Sequence, residues 1–403
     1  MTVTAPPAWA GLVDELTEEG ILVEPWRSAF LAVPREVFIP EVVWRYNDDD
    51  DLVALHRAEE PQEWLHRAYG PGYVITQVDD GTPVGPEGRG REATSSASRP
   101  DIVALMLAAG RVEPGMRVLE IGTGTGYTAA LLAHYLGAGN VTTIEIDPML
   151  AARARTALAT AGYGEVTVIT GDGTHGDPEG APFDRVLSTV AAPRVPYQWV
   201  AQTRPGGLIV TPWGSTYKHA GLLSLAVDGN GTATGGLINT TISFMELRDQ
   251  RIPRPEITKV VHDTDTPEVS DTDIHASEVG NDDAPFAIAL EVSHCHMAYV
   301  PATNDDGRWS GWFLDPDTRS WARFDYLPGT QRWPVHQFGP RRLWDEITTA
   351  YHHWDELGRP PATSWRFTIT PHHQHVGLES GKTVGGDAEL GFSTGGRSPK
   401  RQC

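Results

Sequence analysis

Three acidic residues follow or close apolar runs at spacings that suit a nucleoside without phosphates. Glu120 lies in Val118-Leu119-Glu120-Ile121, directly before Gly122-Thr123-Gly124-Thr125-Gly126. Glu145 closes Val141-Thr142-Thr143-Ile144, and Asp172 stands between Gly171 and Gly173 after Val166-Thr167-Val168-Ile169. Glycines at alternate positions let the backbone turn sharply and approach a bulky ligand more closely than a Cβ allows. A carboxylate about twenty residues further on can accept both hydroxyls of a ribose. None of these runs holds a basic partner for a pyrophosphate. A cationic nucleoside fits better than a dinucleotide, which favours S-adenosylmethionine over NAD. The expected cofactor contacts are Glu120, Gly122, Thr123, Gly124, Gly126, Glu145, Asp172 and Gly173. The plainer alternatives are a solvated strand end for Glu145 and an ordinary turn for Gly171-Asp172-Gly173.

A second group of polar residues precedes a helical run. In Thr94-Ser95-Ser96-Ala97-Ser98-Arg99-Pro100-Asp101, Ser98 reads as the N-cap of a capping box, with proline in the first turn and an acid three residues on. A helix N-terminus also favours a carboxylate, so capping and substrate contact are compatible. Arg89, Arg91 and Arg99 bring positive charge beside these serines, either as solvated loop residues or as a dock for an acidic peptide. His294-Cys295-His296 alternates along an expected strand, so its histidines would share a face. No carboxylate or second cysteine stands at ligand spacing, and packing is expected there rather than a metal. The same holds for His372, His373 and His375.

The elements that must position these residues follow from periodicity. Residues 9–44 and 98–109 read as helical, and strands at 117–121, 141–146, 165–169, 183–189 and 207–211 alternate with helices. That order predicts a doubly wound α/β sheet with right-handed crossovers. Strands at 222–227 and 236–244, joined through Asp228-Gly229-Asn230-Gly231, predict an edge hairpin. Residues 52–92 look irregular apart from a short strand at Tyr73-Val74-Ile75-Thr76, and the acidic stretch 262–273 reads as a linker or exposed loop. Residues 274–378 regain seven tryptophans and a helix at 342–357, as a separate α+β unit would. The expected organisation is 1–92 for N-terminal helices and a substrate-side loop, 93–250 for the nucleoside domain, 251–378 for an extension and 379–403 for a disordered tail.

The chain of 403 residues carries 53 acidic against 32 basic residues, a net charge of −21, which disfavours a nucleic-acid partner. Two cysteines, Cys295 and Cys403, imply no disulfide framework. Without a signal sequence or an apolar run of membrane-spanning length, a cytoplasmic protein with no membrane association is expected, of open oligomeric state.

In this order the segments resemble the protein-L-isoaspartate O-methyltransferase family. The resemblance rests on Val33-Pro34-Arg35-Glu36-Val37-Phe38, Ser98-Arg99-Pro100, the loop 118–126, Gly171-Asp172-Gly173, the strand end 189–196 with Ala191-Ala192-Pro193, and Gly206-Gly207-Leu208-Ile209-Val210-Thr211-Pro212. It implies a Rossmann-like methyltransferase sheet with an N-terminal helical segment, here followed by an additional C-terminal α+β domain. It also implies carboxyl O-methylation, with Ser96 and Ser98 as catalytic residues and Arg91, Arg99, Ala192 and Pro193 on the substrate side. Ser96 stands where the family carries threonine, residues 50–92 are longer, and residues beyond about 250 have no counterpart in a minimal repair enzyme. Arg342-Leu343-Trp344-Asp345-Glu346 and Gly358-Arg359-Pro360 resemble a subgroup in graspetide maturation, the ATP-grasp branch of ribosomal-peptide biosynthesis. That implies methylation of an aspartate side chain in a modified precursor peptide. The ester would then collapse to an aspartimide that can open to isoaspartate. The competing readings are isoaspartate repair and a non-enzymatic peptide-carrier or nucleoside-sensing module. A nucleic-acid base methyltransferase fits poorly, because Ser188-Thr189-Val190-Ala191-Ala192-Pro193 lacks the Asn/Asp-Pro-Pro-aromatic pattern.

Overall fold

Trp9, Leu12, Val13 and Leu16 recur at helical spacing, and all four are buried along one face of α1 (Pro7–Glu18). Helix α2 (Trp26–Ala32) follows, and Trp9 stacks on Phe30 with ring centroids 5.9 Å apart while its indole N–H donates to the Phe30 carbonyl at 2.7 Å. The computed structural model describes residues 6–218, 221–280, 283–301 and 307–378. Two units divide the chain, one of residues 1–213 and 220–251, the other of 214–219 and 252–403. Residues 1–92 therefore share a unit with the nucleoside fold and do not stand apart from it.

The first unit holds a small sheet that the sequence reading missed. Strands β1 (Val42–Tyr46), β2 (Leu52–His56), β3 (Val74–Val78) and β4 (Ala93–Ala97) form an antiparallel sheet in the order β2-β1-β3-β4, with α3 (Pro61–Tyr69) between β2 and β3. Asn47–Asp51, an acid-rich loop by sequence, is the turn of the β1–β2 hairpin; the Asn47 side chain accepts from the Asp49 and Asp51 N–H groups. The supposedly irregular stretch 52–92 thus supplies two strands and a helix.

The larger sheet uses β5 (Val118–Ile121), β6 (Val141–Glu145), β7 (Thr167–Thr170), β8 (Phe183–Ser188), β9 (Thr203–Pro212), β10 (Leu222–Val227) and β11 (Ala233–Asn239). Within this unit the order is β11-β10-β9-β8-β5-β6-β7. Strands β5 to β9 pair in parallel, while β10 and β11 are antiparallel. Helices α4 (Pro100–Gly110), α5 (Tyr127–Leu136), α6 (Pro148–Thr160) and α7 (Tyr197–Ala201) lie on the connections. All four residues of β5 are buried, as a central parallel strand requires. The hairpin comes where expected, but β11 ends at Asn239 and does not run to 244. The Asn239 side chain accepts from the Thr241 backbone N–H at 2.7 Å and turns the chain out of the ladder.

The second unit is α+β. Strands β12 (Glu268–Thr272), β13 (His296–Pro301), β14 (Trp309–Asp315), β15 (Ser320–Tyr326) and β16 (Trp333–Phe338) form an antiparallel sheet in the order β12-β16-β15-β14-β13. Around it are α8 (Ile257–Val260), α9 (Ala276–Gly280), α10 (Ala284–Glu291), α11 (Leu343–Glu356) and the hairpin β17 (Trp365–Ile369)–β18 (Gln374–Leu378). The stretch expected as a linker carries β12, which pairs with β16. Trp321, Trp333, Trp344, Trp354 and Trp365 are buried, with Trp344 packed on Phe313 and Phe324. These tryptophans build a core, while Trp309 and Trp312 are half-buried. His294 and His296 do not share a strand face. The strand begins only at His296, and His294 takes a left-handed backbone (φ 53°) with its Nδ1 2.9 Å from Asp317. The expected tail, 379–403, lies outside the described residues. Among the described residues no helix is long and apolar enough to cross a membrane.

Candidate functional site

The chain turns between β5 and α5 with positive φ at Gly122 (89°), Gly124 (53°) and Gly126 (88°). The three glycines do different work. A Cβ on Gly122 would lie 2.8 Å from Thr189 Oγ1 and 2.9 Å from Val190 Cγ1, so this position is closed by the end of β8. A Cβ on Gly126 would press on Ala154 and Leu158 at 3.3 and 3.5 Å, so this glycine lets α5 approach α6. Gly126 was expected to touch the cofactor; its missing side chain also has this packing reason. Of the three, only Gly124 would take a Cβ without crowding, in ordinary contact with Ser95 Oγ at 3.8 Å and the Ser96 carbonyl at 3.9 Å. The loop therefore faces β4 here, with space for a methyl group at contact distance.

Glu145 anchors this loop. Its Oε2 accepts the Gly124 N–H at 2.8 Å, and its Oε1 accepts the Asp147 N–H at 3.0 Å. Each carboxylate oxygen keeps a second lone pair for a ligand hydroxyl. Burial raises the pKa of Glu145, while the Asp147 and Gly124 N–H groups oppose that shift. Ile146 beside it is one-third exposed (36%), an apolar surface at the rim suited to a flat base.

Glu120 behaves otherwise than the sequence implied. It is fully buried, and its Oε1 has no partner among the described residues. Its Oε2 accepts from Thr143 Oγ1 at 2.5 Å, and Thr143 Oγ1 lies 2.7 Å from Thr123 Oγ1. Glu120 thus reaches the loop through two threonine hydroxyls. Burial pushes its pKa from 4.5 to about 8, against the opposing Thr143 hydrogen bond. Because the folded state holds this proton more tightly than the unfolded chain, stability falls as pH rises from about 4.5 to 8. Glu120→Gln should match the wild type near pH 4.5 and exceed it at pH 8 by on the order of a few kcal/mol. Thermal melts of both proteins across that range test this; parallel curves would remove the buried proton from the account.

At β7, Asp172 Oδ1 accepts from the Thr174 N–H at 2.9 Å and caps a single 3₁₀ turn, Gly173–His175, while the residue stays half-exposed. Gly173 is buried, and a Cβ there would meet Ile121 Cγ2 at 2.6 Å, so its missing side chain serves packing.

The substrate-side residues are only partly as expected. Arg99, not Ser98, is the N-cap of α4, and no side chain caps the helix; Asp101 instead accepts two bonds from Arg99, at 3.1 and 2.7 Å. The Ser96 and Ser98 hydroxyls make no hydrogen bond among the described residues, which leaves both available. The arginine cluster is mostly neutralised, since Arg89 pairs with Asp51 and Arg99 with Asp101, while the exposed Arg91 has no ion pair among the described residues. Such exposed pairs hold little free energy and yield readily to a competing anion. Ala192 is fully buried, so its methyl offers no surface to substrate; the half-buried Pro193 accepts the Trp213 indole N–H through its carbonyl.

Sequence reasoning missed four residues. Gln77 on β3 is buried and donates to Asp147 Oδ2 at 2.8 Å, tying the small sheet to the nucleoside fold. Asp147 also caps α6 through the Met149 and Leu150 N–H groups; these bonds, with the Gln77 amide, outweigh burial and hold its pKa low. The Asp147-Pro148 pair is itself a helix-start signal. Arg248 lies 3.0 Å from Asp80 and lowers the pKa of both Glu145 and Asp147, so the acidic end of the sheet does have a basic neighbour. Arg35 is buried behind Ser98. No local pattern could reveal these long-range contacts. Among the described residues no group of three or more His, Cys, Asp or Glu could hold a metal ion.

The family model for protein-L-isoaspartate(D-aspartate) O-methyltransferase (PCMT) matches residues 83–251. The protein-L-isoaspartate O-methyltransferase of Hyperthermus butylicus is 38% identical over 229 residues, spanning 54% of this chain and 80% of its own. That of Thermococcus onnurineus is 38% identical over 209 residues, spanning 51% and 78%. A solved protein-L-isoaspartate O-methyltransferase structure shares the fold with a TM-score of 0.52 at 19% identity, covering 92% of this chain and 99% of its own.

Proposed function

The chain belongs to the protein-L-isoaspartate O-methyltransferase family, and from that membership we propose that it esterifies an aspartate-derived carboxylate in a peptide. It is an S-adenosylmethionine-dependent methyltransferase. The observation that carries the site is the Gly124 turn, where a positive φ and an N–H bonded to Glu145 hold the glycine loop facing β4. The residues there fit the cofactor: Glu145 offers lone pairs to ribose hydroxyls, Ile146 an apolar face to the base, and Asp172 a half-exposed carboxylate beyond them. When bound, S-adenosylmethionine supplies a methyl group activated by its sulfonium charge.

The protein's own residues have a modest chemical task. A peptide carboxylate is already ionised at neutral pH and needs no general base to become a nucleophile. The chain must hold its oxygen in line and strip its water. In this reading the hydroxyls of Ser96 and Ser98 and the N-terminus of α4 do so, and Arg91 serves an acidic flank. After transfer, the backbone nitrogen of the next residue can attack the ester and expel methanol, giving the imide.

Two substrates remain in view. The tail motifs around Arg342 and Gly358 favour the aspartate side chain of a modified precursor peptide. The relatives, protein-L-isoaspartate O-methyltransferases at 38% identity, favour isoaspartyl repair. Incubation of the full chain with S-adenosylmethionine and matched peptides decides between them by mass spectrometry. A cyclised precursor peptide should gain one methyl and then lose methanol, with linear isoaspartyl peptide turned over more slowly. Equal or faster turnover of varied isoaspartyl peptides would instead establish repair.

A further inference from the structure

The hairpin turn between β10 and β11 holds a reactive pair. Asn230-Gly231 is the one Asn-Gly pair of the chain, beside Asp-Gly pairs that begin at Asp80, Asp172, Asp228 and Asp306. In such a pair the backbone nitrogen of the glycine can attack the side-chain carbonyl carbon before it, because no Cβ shields that nitrogen. The leaving group and the freedom of the nitrogen decide whether it does. An ionised carboxylate gives up oxygen poorly, whereas an amide releases ammonia.

The structure separates these pairs. Asp80 is committed to Arg248 at 3.0 Å and Arg251 at 3.2 Å. Asp172 accepts from the Thr174 N–H, and the glycine after it is buried. Asp228 accepts the N–H groups of Thr232 at 2.9 Å and Asn230 at 2.8 Å, and these bonds hold its carboxyl below the usual carboxylate range. Asp306 lies outside the described residues. Asn230 carries an amide and is exposed, like Asp228 and Gly229 before it. The Gly231 N–H makes no hydrogen bond among the described residues.

The fold also blocks the simplest protection, a side chain on residue 231. Gly231 has φ 75°, and a Cβ there would lie 2.9 Å from the Tyr197 hydroxyl, which donates to the Gly231 carbonyl at 3.0 Å. Its left-handed backbone closes the hairpin loop, whose ends meet where the Asp228 N–H donates to the Thr232 carbonyl at 2.8 Å. Turn and helix contact both need glycine after Asn230. The turn also lies far from the methyl-transfer site along the sheet. Strand β10 runs antiparallel to β9, with Leu222 opposite Pro212 and Ala226 opposite Leu208. The turn therefore sits at the amino ends of the parallel strands, while Gly124 and Glu145 sit at their carboxyl ends.

We propose that Asn230 converts to isoaspartate in the folded protein and that a second copy of the chain methylates it. The Gly231 nitrogen bonds to Asn230 Cγ, the Cγ–Nδ2 bond breaks, and ammonia leaves with the proton of the Gly231 N–H. Water then adds to the backbone-side carbonyl of the five-membered imide, and the bond from that carbon to the Gly231 nitrogen opens. The main chain now runs through Cβ and Cγ of residue 230 and leaves an α-carboxylate at the surface. One oxygen of that carboxylate takes the methyl group of S-adenosylmethionine, which departs as S-adenosylhomocysteine. This rests on the carboxyl-methyltransferase reading above and names the chain itself as an acceptor. Because the turn and the site occupy opposite ends of one sheet, the methylating copy is another molecule.

The test ages the full chain without cofactor in warm, mildly alkaline buffer and reads its peptides by electron-transfer mass spectrometry. Isoaspartate should accumulate at residue 230 faster than at any Asp-Gly pair. Fresh enzyme and radiolabelled S-adenosylmethionine should then label residue 230 in proportion to the isoaspartate formed. Asn230→Gln, an exposed change remote from the site, would need a six-membered imide and should lose both the isoaspartate and the label there. An amide still intact at residue 230 after the Asp-Gly pairs have reacted would overturn the proposal. So would isoaspartate at 230 that takes no label from an enzyme that methylates a linear isoaspartyl peptide. Should neither be methylated, the carboxyl-methyltransferase reading itself fails, since the isoaspartate is measured without turnover.

Discussion

Gly124→Val is expected to abolish S-adenosylmethionine binding, raising Kd by about 100-fold or more, while the fold survives. Two effects act together. Gly124 has φ 53°, a region that a β-branched residue occupies only with strain of about 1–3 kcal/mol. The added side chain would also extend beyond a Cβ that already touches Ser95 Oγ at 3.8 Å and the Ser96 carbonyl at 3.9 Å, into the space between the loop and β4. A ligand lying against the Gly124 backbone loses that space. Titration calorimetry gives the affinity, and a thermal melt should show a loss of only a few degrees. Gly122→Val provides the contrast, since its Cβ would collide with Thr189 and Val190 and should lower stability first. Unchanged cofactor affinity in Gly124→Val would move the nucleoside away from this loop.

The second large effect belongs to Glu145. Replacing it by leucine removes the acceptor of two N–H groups, those of Gly124 and Asp147, and each donor left buried without an acceptor costs about 1–3 kcal/mol. It also removes the acceptor proposed for the ribose hydroxyls. Cofactor affinity should fall by about 100- to 1,000-fold, because loop order and ligand contact are lost together. Glu145→Gln retains one carbonyl oxygen and should fall between the two. Hydrogen exchange at residues 122–126 separates the causes. Faster exchange in the ligand-free leucine variant marks a loosened loop, and unchanged exchange with unchanged affinity would return Glu145 to an ordinary strand end.

The parallel strands were legible because each is a continuous apolar run between glycine-rich turns. Val118–Ile121 and Val141–Glu145 could hardly be anything else. Of the antiparallel strands before them only Val74–Val78 was, through the strand expected at 73–76. Val42–Tyr46 and Leu52–His56 are short and half-buried, and charged residues surround them, so their alternation is too weak to stand out from a helical reading of 9–44 and an irregular reading of 52–92. Glu268–Thr272 is an edge strand with four exposed residues in succession, and its composition resembles a loop. The site divides in the same way. Residue type and spacing singled out the glycine loop and Glu145 as candidates. They could not tell that Glu120 is sealed from solvent, that a Cβ at Gly126 or Gly173 would press on neighbouring side chains, or that Gln77 meets Asp147 seventy residues later. Those facts belong to the tertiary arrangement.

The shared core of the first unit also bears on how the chain is made. Trp9 and Phe30 pack against Tyr127, and Trp9, Leu12, Phe30 and Phe38 belong to the same buried cluster as Leu131 and Leu132. A ribosome adding about 5–20 residues per second needs roughly 6–24 s to pass from Trp9 to Tyr127. Through that interval the apolar faces of α1 and α2 are synthesised but have no permanent partners. The first helices of this protein must wait, exposed to aggregation and to chaperones, for a helix more than a hundred residues downstream.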